Sequence, residues 1–253
     1  MEEIKTNKPE GNKKLESAIT ILLVMGLVFA IFNQFQLISI KSGNIGVPTG
    51  MAIVQAKVIP TGMPKIYGEE LGIKYDDVSL DNQGLADKTI KVMSNIDRTV
   101  TLSGENLERY IDIASQISCE YCCGAQSIIV KREDVEAMNE KIEAAIASGQ
   151  ITKEQAETYR KNAGDLACGC EHSYAMRGLA KYLITKHGDE FSDAEILDEL
   201  AKWKTLFFPG PMAAKAEAME EKGIEFSYAN LGSNKYRGIE SGATSGSSMV
   251  GGC

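Results

Sequence analysis

One stretch limits this chain more than any other. From Ala18 to Ile40 it reads AITILLVMGLVFAIFNQFQLISI, without a charge. At about 1.5 Å of rise per helical residue, that run is long enough to cross a hydrocarbon core of about 30 Å. It predicts a transmembrane helix. Lys5, Lys8, Lys13 and Lys14 precede it and only Lys41 follows closely, so the positive-inside rule keeps residues 1–17 in the cytoplasm and sends the rest outside. The topology is a signal-anchor at the cell membrane, with the lipid bilayer as partner through residues 18–40. A signal peptide cleaved near Val28-Phe29-Ala30 competes with it, but the apolar run continues past that point and lacks an Ala-x-Ala.

The remainder is globular in composition. Hydrophobic residues make up 43% of 253 positions and charged ones 25%, enough apolar material for a core. A net charge of -8 and the absence of a basic, aromatic-interleaved run argue against nucleic acid as a partner. One Trp and seven Phe stand against many Ala, Ile, Leu and Glu, a balance that favours helices packed by aliphatic side chains. The expected fold is mainly α: the anchor, then an extracytoplasmic helical bundle with an inserted αα-hairpin.

Gly11, followed by Glu16 and then the apolar run, is similar to the processing region of type IV pilin-like subunits. That family expects an apolar start after the glycine, where this chain has Asn12, Lys13 and Lys14. The resemblance covers about thirty residues and implies a structural surface subunit.

Residues 41–102 form a Gly- and Pro-punctuated juxtamembrane segment. Val47-Pro-Thr-Gly-Met51 and Ile59-Pro-Thr-Gly-Met63 read as two similar turns, with a possible strand over Ala52–Ile59 between them. Asp76, Asp77 and Asp81 lack an EF-hand order and read as a solvated loop.

The Cys/His-containing helical domain is expected over 103–222. Ser103 reads as an N-cap, and Leu107, Tyr110, Ile111, Ala114 and Ile117 recur at helical spacing. If that helix runs to Gly124, then Cys119, Cys122 and Cys123 share one face. Glu133–Ser148 and Thr152–Asn162 read as a hairpin spanning 133–163, with a capping box at Thr152 to Gln155. A hairpin returns the chain near its departure point, which can bring Cys168 beside Cys123. Glu171–Lys186 reads as the next helix, with Cys170 near its N-terminus and His172 and Met176 one turn apart. Ser192 to Glu195 is a second capping box, opening a helix with Ile196, Leu200, Trp203 and Phe207 inside, until Pro209 stops it. A short helix from Pro211 to Glu221 follows. Residues 223–253 read as a flexible Gly/Ser-rich tail ending in Cys253.

Three chemistries compete for the cysteines. Cys119, Cys122, Cys123, Cys168, Cys170 and His172, with Met176 as a weak outer donor, form a pool of soft metal ligands suited to Cu(I) or Zn²⁺. An oxidising compartment instead favours disulfides and a braced structural or adhesion subunit without metal. The third chemistry is thiol–disulfide exchange through Cys119-Glu-Tyr-Cys122, although a helix C-terminus gives the wrong dipole for an active thiol. His187 reads as a surface residue at a helix C-terminus. No nucleophile triad, phosphate loop or carboxylate pair stands out, so a hydrolase or nucleotide enzyme has nothing to rest on.

Overall fold

The computed structural model describes residues 57–241 and 249–251. The chain divides into two units, Met1–Gly50 and Met51–Cys253, and the described residues all belong to the second. The expected span Ala18–Ile40, the pilin-like region, most of the possible strand and Cys253 lie outside them. Among the described residues no helix is long and apolar enough to cross a membrane.

This part is all-helical, with no strand among the described residues. The helices are α1 (Tyr67–Leu71), α2 (Gln83–Thr99), α3 (Gly104–Ala114), α4 (Arg132–Ala147), α5 (Lys153–Tyr159), α6 (Glu171–His187), α7 (Asp193–Phe207), α8 (Pro209–Glu221) and α9 (Tyr228–Gly232). Both capping boxes form: Thr152 and Gln155 open α5, and Ser192 and Glu195 open α7. Ser103 stands at the start of α3 but makes no side-chain cap bond. Pro209 does more than stop α7, because it takes the first position of α8, where its missing N–H costs nothing.

Helix α6 is the centre of the bundle. Ala175, Met176, Leu179, Ala180 and Leu183 are all buried on it. Helix α2 lies along it with Ala86, Ile90 and Met93 inward, and the two approach so closely that a Cβ on Gly178 would stand 1.9 Å from the Met93 carbonyl oxygen. Helix α2 belongs to the segment read from sequence as a Gly/Pro-punctuated spacer. Its Asn82 cap, which accepts from the Leu85 amide at 3.1 Å, starts a full amphipathic helix there. Helices α7 and α8 close the other side, with Trp203 buried and donating to the Tyr67 hydroxyl at 2.8 Å. That hydroxyl and Tyr75's both donate to Glu199, so the start of this unit is tied to α7.

Two further expectations change. Helix α3 ends at Ala114 instead of reaching Gly124, because Ile117 pairs with the distant Ser233 and Cys119 with nearby Ala125. The expected flexible tail contributes α9 and buried Leu231, and Val250 is buried with its amide on the Phe207 carbonyl at 2.9 Å.

The hairpin of α4 and α5 hangs from a narrow neck. Ile129 pairs with Leu166, the Val130 amide donates to Asp165 at 2.7 Å, and the Gly164 amide donates to Val130 at 2.9 Å. Met138, Ile142 and Ala145 face an open groove floored by Ile129 and Ala167.

Candidate metal centre

The sulfur site is built from two short segments on either side of that neck. In the first, Cys119 donates its amide to Ala125 and accepts from the Gly124 amide, closing a tight loop. Gly124 sits at φ 71°, a conformation that disfavours a side chain. The loop lets Cys119 turn inward, fully buried, while Cys122 is half-buried and Cys123 exposed. Loop closure therefore brings these sulfurs together, where the sequence reading expected a shared helix face.

The second segment, Cys168 to Cys170, leads into α6. Cys170 is the N-cap of that helix, its sulfur accepting from the Ser173 amide at 3.3 Å. A helix N-terminus favours negative charge at this position. Cys119 and Cys170 meet with sulfurs 3.1 Å apart. The hydrogen bond from Cys119 holds the Cys170 thiol down at about 4, against its burial, with His172, the Ser173 amide and Cys122 adding to the effect. The same hydrogen bond pushes Cys119 far above the usual thiol range, and burial adds to it. The pair is a thiol donating to a thiolate.

Cys119, Cys122 and Cys170 keep their thiols, and their sulfurs all lie within 4.8 Å of one another. The group is positioned to hold a metal ion. Cys123 and Cys168 are joined as a disulfide, and a bonded sulfur carries no thiolate to give a metal, so in this form the two form a bridge instead of acting as ligands. Their sulfurs and that of Cys119 form a second group within 4.8 Å.

No family model matches this chain, and no curated protein or solved structure matches it.

His172 is fully buried between Phe207 and Phe208, with ring centroids 4.8 and 5.0 Å away. Its Nε2 lies 2.8 Å from the Val250 carbonyl, which can only accept. Nε2 therefore donates to that carbonyl. His172 lies near enough to Cys170 to help hold its thiol low, but the imidazole does not join the three sulfurs that lie within 4.8 Å of one another. Met176 is buried one turn further along α6, in the hydrophobic core. His187 is buried, not at the surface, and is held by Glu190 at 2.8 Å and Glu70 at 2.9 Å.

Two charged clusters that sequence reasoning missed hold the site in place. Arg177, 1% exposed, donates to the Cys168 carbonyl at 3.0 Å, the Ile128 carbonyl at 3.1 Å and Asp97 at 3.0 Å. It fastens both sides of the neck to α6 and α2. Beside Cys119, the Glu120 carboxylate takes Lys204 at 2.9 Å and Lys215 at 3.1 Å, both lysines fully buried. Burial pushes Lys204 down to about 8, against the pull of Glu120. The two ammoniums hold Glu120 below the ordinary carboxylate range despite its own burial. Except for Glu120, which lies in the loop after Cys119, these charges stand on helices. The one available signal was Lys204 between Trp203 and Leu206, on the apolar stripe of α7.

Proposed function

We propose that this chain is a membrane-anchored, extracytoplasmic protein that binds a soft metal ion, Cu(I) or Zn²⁺, through Cys119, Cys122 and Cys170, for sensing, storage or delivery. The convergence of three sulfurs from two chain segments carries the reading. A donor set of sulfur with adjacent imidazole and no carboxylate excludes hard cations by chemistry. Three thiolates suit Cu(I), whereas Zn²⁺ prefers four donors, one more than the three sulfurs supply. The uncharged run Ala18–Ile40 and the lysines before it support the anchor and its direction. The Cys123–Cys168 bridge fits an oxidising compartment.

The test uses the full chain purified in detergent without reductant or chelator. Stoichiometric copper or zinc is expected, with Cys119, Cys122 and Cys170 protected from alkylation until the metal is stripped, and with loss of binding in Cys122→Ser and Cys170→Ser. Metal-free protein that fails to take Cu(I) from a weak colorimetric chelator sinks the reading. The disulfide itself favours a second one, a braced surface subunit without metal, for which those same thiols alkylate freely and the serine variants behave as the parent.

A further inference from the structure

The two sulfur groups share one atom. Cys119 Sγ lies within 4.8 Å of the sulfurs of Cys122 and Cys170, and equally within 4.8 Å of those of Cys123 and Cys168. A trigonal ion about 2.3 Å from each of three sulfurs needs them about 4 Å apart; both groups lie inside 4.8 Å, and to admit an ion Cys119 and Cys170, now 3.1 Å apart, and the bonded Cys123 and Cys168 must each part. Only the bond between Cys123 and Cys168 closes the second. We propose that this disulfide is a lock on a second soft-metal site: once it is reduced, Cys119, Cys123 and Cys168 bind a second Cu(I), and the Cys119 thiolate bridges the two ions. The proposal rests on the Cu(I) reading of the first group.

The surroundings suit a lock that opens without dismantling the site. Cys123 is exposed while Cys168 is buried, so an incoming thiol has one sulfur to attack. A small-molecule thiolate adds to Cys123 Sγ, the bond to Cys168 breaks, and Cys168 leaves as a thiolate. A second thiolate then attacks the small-molecule sulfur of the mixed disulfide, releasing Cys123 as a thiolate and the small molecule as its own disulfide. Two electrons pass from the thiols to the bridge. Cys119 loses its proton to solvent when the first ion binds, so the second ion meets three thiolates, Cys119 and the two that reduction released. The two segments stay in register without the bridge, because the Val130–Asp165 and Gly164–Val130 bonds and the Arg177 contacts to Cys168 and Ile128 do not depend on it.

The experiment is a Cu(I) titration of the full chain in detergent against bathocuproine disulfonate, once as purified without reductant and once after reduction by a phosphine that is then removed. We expect one ion per chain before reduction and two after, with a short copper–copper distance in X-ray absorption only in the second sample. The Cys123→Ser/Cys168→Ser double variant is expected to take one ion in both samples, with unchanged helical circular dichroism, and each single variant likewise after reduction. One ion per chain in both parental samples overturns the second site and leaves the first standing. No ion in either overturns both. A second ion that survives in the double variant, or two ions without copper–copper scattering, overturns the shared-ligand geometry.

Discussion

Replacing Gly178 with Ala tests the contact on which the site's main helix depends. The added Cβ would stand 1.9 Å from the Met93 carbonyl oxygen, 2.9 Å from its carbon and 3.0 Å from the Asp97 nitrogen. Ordinary contact begins near 3.4 Å, so α6 and α2 must part by about 1.5 Å, the difference between 3.4 and 1.9 Å. The obstructing atoms are backbone, which cannot rotate away as a side chain can. Overpacking a core costs about 1–3 kcal/mol, and a clash against a carbonyl belongs at the upper end. Alanine's better helix propensity returns about 1 kcal/mol. The net loss is about 2 kcal/mol, a factor of roughly 30 in the folded-to-unfolded ratio. Gly84, in α2, has no atom within 4 Å of its Cβ position, so Gly84→Ala is expected to stabilise by about 0.4–1 kcal/mol. Trp203 is the chain's one tryptophan and is fully buried, which makes its fluorescence the reporter for guanidinium unfolding of parent and variants. The midpoints should move in opposite directions with an unchanged slope. A Gly178→Ala protein within about 0.5 kcal/mol of the parent would refute the packing argument.

Cys170, with its thiol held at about 4, should react with iodoacetamide at a rate nearly constant between pH 6 and 8, whereas an ordinary thiol changes almost tenfold per unit there; peptide mapping that shows an ordinary slope contradicts the thiol–thiolate pair. Because its folded value lies below the unfolded one near 8.5, this group contributes stability that is present above the unfolded value and is lost as pH falls through about 4. Cys170→Ser should therefore flatten the rise of metal-free stability with pH across that window. Glu120→Gln leaves Lys204 and Lys215 buried together without their carboxylate and should cost about 3–5 kcal/mol; an unfolding midpoint near the parent's would show that the cluster is hydrated.

Local signals carried much of the helix pattern. The capping boxes at Thr152 and Ser192 and the stripe Ile196, Leu200, Trp203 and Phe207 depend on neighbours three or four residues away, so they are visible in the chain. The proximity of Cys168 to Cys123 was also legible, because a hairpin necessarily returns. What could not be read depends on partners remote in sequence. Ile117 leaves the helical path to pair with Ser233, and no periodicity announces that exchange. Helix α2 was obscured by Gly84, Asp87, Lys88 and Asn95, polar positions on its outer face that diluted the stripe of Ala86, Ile90 and Met93. The burial of Arg177 and Lys204 is explained by remote partners, the carbonyls of Cys168, Ile128 and Gly232 and the carboxylates of Asp97 and Glu120. Nothing near His172 in sequence pointed to the Val250 carbonyl that fixes its proton.

The neck at Ile129 and Leu166 separates two quantities that usually travel together, the contour length of chain between ligands and the distance between them. Everything from Arg132 to Tyr159 lies beyond the neck, and the turn at Gly149 is exposed, with its backbone bonded only to α4 itself. The hairpin is thus a free variable. It can be lengthened, shortened or replaced by a fused domain at its tip while the sulfur separations stay as they are, much as a handle can be changed without touching the jaws it is attached to.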